Sequence, residues 1–332
     1  MPTGVWFPAA RSVELRSERP VMPGPHDVRV HAIASGVSHG TEMLVYRGQV
    51  PEDLALDLPT LAGSYSFPIK FGYASVGRVV AVGDAVTRVV PGQLVFVHHP
   101  HQDEYVVPEA ALVALDGVRD AEQGIFLANT ETAVNVVLDA HPHLGDVVAV
   151  HGQGVVGLLV TQLLRRSGAR VVAVDPIPLR RDLAMRCGAD VSVAPDGAAD
   201  AIRERTGGRG ADLAIEVSGS GAALQQAIDS VAFQGTVVVA SWYGTKPVTL
   251  RLGAGFHRAR VRLASSQVGT IDPALAPRWD RDRRLALARE LLGELVLAPL
   301  VTHRIPFARA ADAYALVDAH ADETVQVLLT YD

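Results

Sequence analysis

The 332-residue sequence has a single cysteine, no basic block and no long apolar run. Cys187 alone cannot form a disulfide within the chain, and it cannot build a zinc site that needs two or more thiolates. The longest apolar stretch, Val155–Leu164, is interrupted by polar residues and is too short to span a bilayer. The first residues lack the charged and apolar regions of a signal peptide, so we expect a cytoplasmic location.

The charge of the chain also limits its partners. A formal net charge of −6, spread along the sequence, offers no basic surface to nucleic acid or to an anionic membrane. Hydrophobic residues make up 48% of the chain and charged residues 20%, as in ordinary globular enzymes, and the length allows about two domains. We therefore expect a small molecule as the partner.

The pattern of the sequence changes near residue 120. Before this point, short β-branched runs such as Val28–Ala34 and Val76–Val82 alternate with turn signals, and 48–72 is predicted as a loop. After it, apolar runs such as Val147–Val150 and Val171–Val174 are separated by helical segments. This βαβ alternation predicts an α/β fold with a parallel sheet that is covered on both faces.

A glycine-rich segment, Gly-Gln-Gly-Val-Val-Gly at 152–157, matches the G-x-G-x-x-G pattern of dinucleotide-binding loops between a strand and a helix. The first glycine permits a tight turn, the second lets the backbone approach a diphosphate, and the third lets helix and strand pack closely. The helix N-terminus then offers unpaired N–H groups to the diphosphate. The residues predicted to bind the cofactor here are Gly152, Gly154, Val155, Val156 and Gly157.

An acidic residue at the end of the next predicted strand favours NAD over NADP. Asp175 follows Gly152 by 23 residues, near the spacing of roughly 20 that is typical of such loops. A carboxylate can accept hydrogen bonds from the ribose hydroxyls of NAD. It would repel the 2′-phosphate of NADP by about 4 kcal/mol per pair of unit charges at about 4 Å. The positive charges of the nearby Arg180 and Arg181 would reduce this repulsion. The sequence therefore predicts NAD as cofactor.

Nearly the whole chain resembles the medium-chain dehydrogenase/reductase superfamily, the relatives of zinc alcohol dehydrogenases. The segments that carry the resemblance are Ser35–Ser38, Phe71–Tyr73, Val76–Val79, Asp146–Ala189 and Thr302–Phe307. The resemblance implies a GroES-like, β-rich catalytic domain at residues 1–118 and 270–332. It also implies an inserted Rossmann NAD-binding domain, with a doubly wound parallel sheet, at residues 119–269. Because relatives pair the edges of their Rossmann sheets, a homodimer is expected, with 261–265 as the edge strand.

The chain departs from its zinc-binding relatives at the metal ligands. Those relatives carry Gly-x-Cys where this chain has Ser38, and Gly-His-Glu where it has Gly72-Tyr73-Ala74. Since a serine hydroxyl and a phenol are poor zinc ligands, no metal is predicted. The phrases at 38–42, 71–73 and 131–135 look most like the bacteriochlorophyllide hydroxyethyl dehydrogenase branch, whose members are thought to oxidise a 1-hydroxyethyl group, although relatives of unknown substrate share them.

The resemblance also suggests catalytic residues. Tyr73 would lie near the reacting carbon and donate to a carbonyl, or it simply fills the vacated metal site as a core residue. His39 lies one residue beyond Ser38 and could form an acid/base pair with Glu42, or it is a loop histidine bonded to backbone. The candidates at this centre are Ser38, His39 and Tyr73.

A histidine cluster at His98, His99 and His101 could contact substrate, bind a metal or form a solvated turn. Because neighbouring side chains on a strand point to opposite faces, His98 and His99 cannot both enter one site if the strand continues. In the nucleotide-binding part, Thr132 is preferred as a cofactor contact over Glu131 as a metal ligand. Ser218 is expected along the cofactor, at the end of a Rossmann strand.

These observations predict hydride transfer between NAD and a secondary alcohol or its ketone, without a metal. Two alternatives stay open. One is a zinc-free quinone or enoyl reductase, a class that mostly uses NADPH and is therefore disfavoured by Asp175. The other is a non-catalytic NAD-binding protein, which the histidines and Tyr73 at the expected site disfavour. The chain is not a short-chain dehydrogenase, because neither Lys70 nor Lys246 follows a tyrosine by four residues.

Overall fold

A computed structural model describes residues 1–58, 60–118, 120–253 and 255–332. The chain forms two units, one of Met1–Ala128 with Leu297–Asp332 and the other of Asn129–Val296. Over the described residues, no helix combines the length and the apolar character that crossing a membrane requires.

The regular elements follow the predicted change from strands to alternating strands and helices. The strands, in chain order, are β1 (Thr3–Phe7), β2 (Glu14–Ser17), β3 (Asp27–Val37), β4 (Ala55–Leu58), β5 (Leu61–Ser64), β6 (Ile69–Lys70), β7 (Ser75–Val82), β8 (Leu94–Val97), β9 (Glu104–Pro108), β10 (Leu112–Ala114), β11 (Val147–His151), β12 (Arg170–Val174), β13 (Val191–Val193), β14 (Ala211–Glu216), β15 (Val231–Val239), β16 (Arg262–Ser265), β17 (Val301–Pro306) and β18 (Gln326–Thr330). The helices are α1 (Thr41–Tyr46), α2 (Ala121–Gly124), α3 (Leu127–Ala140), α4 (Val155–Arg166), α5 (Pro178–Arg186), α6 (Ala198–Thr206), α7 (Gly221–Ser230), α8 (Gly255–Ala259), α9 (Arg281–Leu291) and α10 (Ala310–Ala319).

The first unit is built around a seven-stranded sheet in the order β10-β8-β7-β3-β18-β17, with β9 also paired to β3. β3 is central because its alternate residues Val28, Val30 and Ala32 are buried, as expected for a strand that covers a core. The C-terminal strand β18 runs antiparallel to β3. The C-terminal segment therefore completes the sheet of the N-terminal segment, as the resemblance implied. A second sheet, β2-β1-β6, and the β4–β5 hairpin lie within the segment that precedes β7.

The second unit holds a six-stranded parallel sheet in the order β13-β12-β11-β14-β15-β16. This is the 3-2-1-4-5-6 order of a doubly wound Rossmann sheet, whose chain reverses direction of winding between β11 and β14. Every residue of β11 is buried, as a strand with helices over both faces requires. The predicted fold class, a GroES-like domain with a Rossmann domain inserted in it, is confirmed.

The borders of the two units lie later than the predicted borders at 118/119 and 269/270. At the first border, a Cβ on Gly124 in α2 would lie 2.6 Å from Leu115 Cδ1, so α2 packs closely on the first unit. At the second, α9 belongs to the second unit because Arg284 binds Glu131 and Asn135 of α3. The predicted borders came from the resemblance, whereas these borders follow the contacts within each unit.

The predicted edge strand at 261–265 corresponds to β16, which ends the parallel sheet. Its Leu263 is 39% exposed. A bare apolar strand edge invites pairing with another chain. The homodimer stays a prediction.

Candidate functional site

The glycine-rich loop joins β11 to α4 at the switch point of the parallel sheet. Gly152 has a φ of +103°, and a Cβ there would lie 2.8 Å from the Ser218 backbone nitrogen. A Cβ on Gly157 would lie 2.0 Å from the Gly152 carbonyl oxygen, so only glycine lets α4 approach this turn. Gly154, in contrast, has nothing beyond its chain neighbours within 4 Å of its Cβ position. The loop leaves open space before the half-buried Val155 and Val156, which fits a bound diphosphate.

Asp175 follows β12 directly and is 2% exposed. Its Oδ2 accepts a hydrogen bond from the Gln153 backbone nitrogen at 2.7 Å, and its Oδ1 accepts one from the Ile177 backbone nitrogen at 2.9 Å. The Arg181 guanidinium donates to the backbone carbonyl of Asp175 at 2.9 Å. The carboxylate is therefore fixed against the glycine-rich loop, and each oxygen keeps a lone pair that could receive a ribose hydroxyl.

The carboxyl end of β14 holds a glutamate that sequence reasoning missed. Glu216 is fully buried, and its Oε1 accepts hydrogen bonds from the backbone nitrogens of Ser218 at 2.7 Å and Gly219 at 2.9 Å. The Ser218 hydroxyl donates to the same oxygen at 2.7 Å, and the Tyr243 hydroxyl donates to Oε2 at 2.8 Å. Glu216 thus fixes the turn that carries the exposed Ser218. The apolar pattern of β14 gave no signal for this role.

Helix α3 carries the predicted contact Thr132. The helix begins at Leu127, so Glu131 and Thr132 lie in its second turn and not at its start. Both residues are half-buried. The role of Thr132 as a cofactor contact stays a prediction.

The Glu131 carboxylate is bound by a buried arginine. Arg284, which is 1% exposed, donates to Glu131 Oε1 from Nη2 at 2.8 Å and from Nε at 3.1 Å. It also donates to Asn135 Oδ1 at 2.6 Å and to the backbone carbonyls of Val268 and Thr270. All five guanidinium N–H groups are used, so Arg284 fastens α3 to the segment at 268–270.

Ser38 and Tyr73 lie together in the first unit. The Ser38 side chain lies close enough to the Tyr73 hydroxyl to affect its pKa. Burial raises the pKa of Tyr73 to about 12, although the Ser38 side chain lowers this pKa and the nearby Glu42 carboxylate raises it further. Tyr73 is therefore a neutral phenol at physiological pH and can donate a hydrogen bond.

A fully buried polar network adjoins this pair. Glu42 Oε2 accepts a hydrogen bond from the Ser38 backbone nitrogen at 3.1 Å, and Glu42 Oε1 accepts from His101 Nε2 at 2.8 Å and from the Tyr314 hydroxyl. His101 Nδ1 lies 2.6 Å from Ser35 Oγ. The side chains of Ser35, Glu42, His101 and Tyr314 are inaccessible to solvent. Such a network is stable only when its members satisfy one another, as these do.

Glu42 pairs with His101, because the turn beyond β8 brings His101 to Glu42, whereas the acid/base pair of Glu42 with His39 stays a prediction. His39 lies half-buried in the turn between β3 and α1. His101 belonged to the histidine cluster of the sequence, but no local pattern indicated its partner, which lies 59 residues earlier.

His98 and His99, next to each other in sequence, have different surroundings. His98 Nδ1 lies 3.1 Å from the Tyr73 backbone oxygen, so the structure brings His98 to the segment that carries Tyr73. The ring of His98 also packs edge-on against Phe96, with ring centroids 5.0 Å apart.

His99 is 7% exposed and stacks on Tyr105, with ring centroids 3.8 Å apart. Its Nδ1 donates to the Pro100 carbonyl at 2.9 Å, and burial lowers the pKa of His99 to about 3. It lines a pocket with Lys70 and Gln102, and neither Ser38 nor Tyr73 lines that pocket. The structure therefore does not bring His99 to the Ser38–Tyr73 pair.

The donor groups do not suit a zinc ion of the relatives' kind. A hydroxyl and a phenol stand at Ser38 and Tyr73, and the Glu131 carboxylate is bound to Arg284. Within the described ranges, no three His, Cys, Asp or Glu side chains are grouped so as to hold a metal ion.

Two family models match the chain. The model described as "Alcohol dehydrogenase GroES-like domain" matches residues 24–116, and the model described as "Zinc-binding dehydrogenase" matches residues 155–280.

Curated relatives extend the match over most of the chain. D-guloside 3-dehydrogenase of Escherichia coli (strain K12) is 29% identical over 92% of this chain and 93% of its own length. (R,R)-butanediol dehydrogenase of Bacillus subtilis is 32% identical over 66% of this chain and 71% of its own. 2-desacetyl-2-hydroxyethyl bacteriochlorophyllide A dehydrogenase of Cereibacter sphaeroides is 27% identical over 96% of this chain and 95% of its own length. The branch to which the sequence phrases pointed is thus one of several similar dehydrogenases.

Solved structures share the fold. 2R,3R-butanediol dehydrogenase from Bacillus subtilis superimposes with a TM-score of 0.81 at 23% identity, covering both chains fully. A zinc-binding dehydrogenase from Sinorhizobium meliloti 1021 bound to NADP superimposes with a TM-score of 0.80 at 22% identity. An alcohol dehydrogenase from Escherichia coli CFT073 with NADH superimposes with a TM-score of 0.79 at 18% identity. Each alignment covers 99% of both chains. Proteins of this fold therefore include one with each nicotinamide cofactor.

Proposed function

We propose that this chain, which belongs to the medium-chain dehydrogenase/reductase superfamily, transfers a hydride between NAD and a secondary alcohol or its ketone without a metal ion. The superfamily follows from the two domain models and from the relatives that match them. The reported relatives are named as dehydrogenases of a guloside, a butanediol and a hydroxyethyl compound. These names support an alcohol as the substrate.

The second unit offers what NAD needs. When bound, NAD supplies the nicotinamide carbon that accepts or returns the hydride. The open position at Gly154 and the N-terminus of α4 would bind the diphosphate. Asp175, held by two backbone N–H groups, would accept the ribose hydroxyls. We assign Thr132 and Ser218 to the sides of the bound cofactor.

The observation that carries the catalytic part of the proposal is the position of Tyr73, whose hydroxyl lies beside Ser38 and whose backbone oxygen lies 3.1 Å from His98 Nδ1. A phenol with a raised pKa keeps its proton at neutral pH and can donate it in a hydrogen bond to the substrate oxygen. Oxygen charge grows during ketone reduction, so a donor fixed in this place stabilises the transition state more than the ground state. Tyr73 thereby takes over the polarising task that a zinc ion performs in other dehydrogenases.

A second group must accept the alcohol proton when the reaction runs towards the ketone. Imidazole is the natural carrier because its ordinary pKa is near neutrality. His99 does not suit this task, since burial holds its pKa at about 3. We assign it to His98, which contacts the Tyr73 backbone, or to His39, which follows Ser38.

Replacing Tyr73 tests the proposal. Tyr73→Phe should lower kcat by roughly 10²–10³-fold, the usual effect of losing one transition-state donor. The affinity for NADH, measured by its fluorescence, should stay unchanged. Turnover would be assayed with NAD and a panel of secondary alcohols that includes 2,3-butanediol. Tyr105→Phe is the matched control, because it removes another buried tyrosine hydroxyl, which is bonded to Ser75 at 2.9 Å.

Two results would contradict the proposal. Full activity of Tyr73→Phe would remove Tyr73 from the reaction, and turnover only with quinones or enones and NADPH would favour the reductase alternative. Protein purified without added metal should contain less than about one-tenth equivalent of zinc, given this donor set. Stoichiometric zinc that is lost together with activity would overturn metal independence.

A further inference from the structure

Glu42 in α1 lies at the centre of the buried polar network of the first unit. It is a fully buried carboxylate with partners from three places: the Ser38 backbone, His101 beyond β8, and Tyr314 in α10. Burying a carboxylate is costly unless it is paired and hydrogen-bonded, and this one is both. The carboxylate therefore ties separate parts of the first unit to the backbone of Ser38.

His101 reaches the other side of the same pair. Its ring fills the space that a side chain at Gly72 would occupy, since a Cβ there would lie 2.7 Å from His101 Cδ2. The His101 backbone nitrogen donates to the Phe71 carbonyl at 3.4 Å. The residue next to Gly72 is Tyr73. His101 therefore packs on the Tyr73 segment while its Nε2 donates to Glu42.

We propose that Glu42 and His101 are positioning residues that hold the Ser38 backbone and the Gly72–Tyr73 segment together, so that the Ser38 and Tyr73 side chains stay next to each other. This inference rests on the proposed function, in which Tyr73 donates to the substrate oxygen. Glu42 and His101 act through Ser38 and Tyr73 and do not touch substrate. The ionic hydrogen bond between them does the cross-linking that a metal ion does when it binds two segments of a chain.

A consistent assignment of protons supports this role. With Glu42 ionised, His101 donates a hydrogen bond from Nε2 to Glu42 and accepts one at Nδ1 from the Ser35 hydroxyl. Ser35 in turn accepts a hydrogen bond from the Tyr331 hydroxyl at 2.7 Å. In this assignment every acceptor in the network faces a donor, so each of these side chains is held in one orientation. A geometry fixed in this way is what a hydrogen-bond donor needs, because a displacement of about 1 Å costs roughly 10²-fold in rate.

The test is a double-mutant cycle read in kcat. Glu42→Gln keeps the size of the side chain but cannot accept from all three donors, and it should lower kcat roughly 10- to 100-fold with the NADH affinity unchanged. In the Tyr73→Phe background the same change should lower kcat less than about twofold, because the residue through which Glu42 acts is gone.

A milder pair of variants covers the case in which Glu42→Gln fails to fold. Tyr314→Phe removes one donor to Glu42, whereas Tyr105→Phe removes an equally buried hydroxyl that bonds to Ser75. We expect Tyr314→Phe to lower kcat by about 3- to 10-fold, because it removes one hydrogen bond to Glu42. The control Tyr105→Phe should not lower kcat.

The outcomes separate this inference from the function it rests on. If Tyr73→Phe is impaired but Glu42→Gln and Tyr314→Phe are fully active, the positioning role is wrong and the proposed function stands. Equal losses from Glu42→Gln in both backgrounds would show a general effect on folding and would also overturn the inference. A fully active Tyr73→Phe contradicts the proposed function itself.

Discussion

The two units place their polar residues by different means. In the second unit, the groups that would bind NAD lie at the carboxyl ends of β11, β12 and β14, each within a few residues of a strand. In the first unit, the network around Tyr73 draws on residues as far apart in sequence as Ser35 and Tyr331. Backbone geometry builds one site, and side-chain pairing builds the other. A glycine-rich loop can therefore be recognised in a sequence, whereas a buried hydrogen-bond network must be seen folded.

The largest effect on stability is expected at Gly157, in the site that backbone geometry builds. Gly157→Ala places a Cβ 2.0 Å from the Gly152 carbonyl oxygen, so α4 must move, and we expect a loss of stability of about 3 kcal/mol or more. Thermal unfolding would measure the loss.

The matched variant is Gly154→Ala, whose Cβ meets open space at an ordinary φ of −71°. It should unfold at the same temperature as the unmodified protein but bind NADH at least about tenfold more weakly, because the methyl group occupies the space assigned to the diphosphate. Equal Tm values for both alanine variants would show that packing at Gly157 does not shape this loop.

A smaller effect concerns His151, which contrasts with the satisfied His101. His151 is 1% exposed, neither ring nitrogen has a hydrogen-bond partner among the described residues, and burial lowers its pKa to about 4 from 6.5. Because the folded-state pKa lies below the unfolded one, the full contribution of His151 to stability is present above pH 6.5 and is lost as the pH falls towards 4. The loss amounts to at most about 3 kcal/mol.

Urea unfolding at pH 7 and pH 4.5 would measure this. His151→Leu should lose less stability between the two pH values than the unmodified protein does. His26→Leu, at an exposed histidine, should lose as much as the unmodified protein. An unchanged pH dependence in His151→Leu would mean that the pKa of His151 in the folded state is close to its unfolded value of 6.5.

The smallest effect sharpens the comparison at one side chain. If Asp175 recognises the ribose, NADH should bind at least about tenfold more tightly than NADPH. Asp175→Ala should bring the two affinities closer, because it weakens the binding of NADH and removes the repulsion between the carboxylate and the 2′-phosphate of NADPH. Fluorescence titration of both cofactors would give the ratio. Equal affinities in the unmodified protein would contradict the assignment of NAD.

Much of the fold could be predicted from the sequence, because strand and helix periods are local. The parallel strands and α4 were found in this way, whereas the β4–β5 hairpin lies in a segment predicted as a loop. The segment had weak periodicity, and in the described part of the chain β4 and β5 form a two-stranded sheet of their own.

The candidate site could be predicted only in part. The positions of Ser38 and Tyr73 came from resemblance, and the structure adds that the two side chains lie next to each other. Glu42 was noticed as a possible partner of the nearby His39, because sequence distance was the only guide, and its bond to His101 was not predicted. The pairing with His101 depends on how β8 and the turn after it pack, which is a property of the folded sheet.

Arg284 has a consequence for anyone who varies this protein by directed evolution. The chain uses arginine for nearly all of its cations, and at exposed positions an exchange for lysine is close to neutral. At position 284, a lysine ammonium has three donors on one atom and cannot reach the five acceptor contacts that the planar guanidinium makes. A library that treats the two cations as equivalent would therefore lose viable clones at this codon, although Arg284 is not assigned to the chemistry.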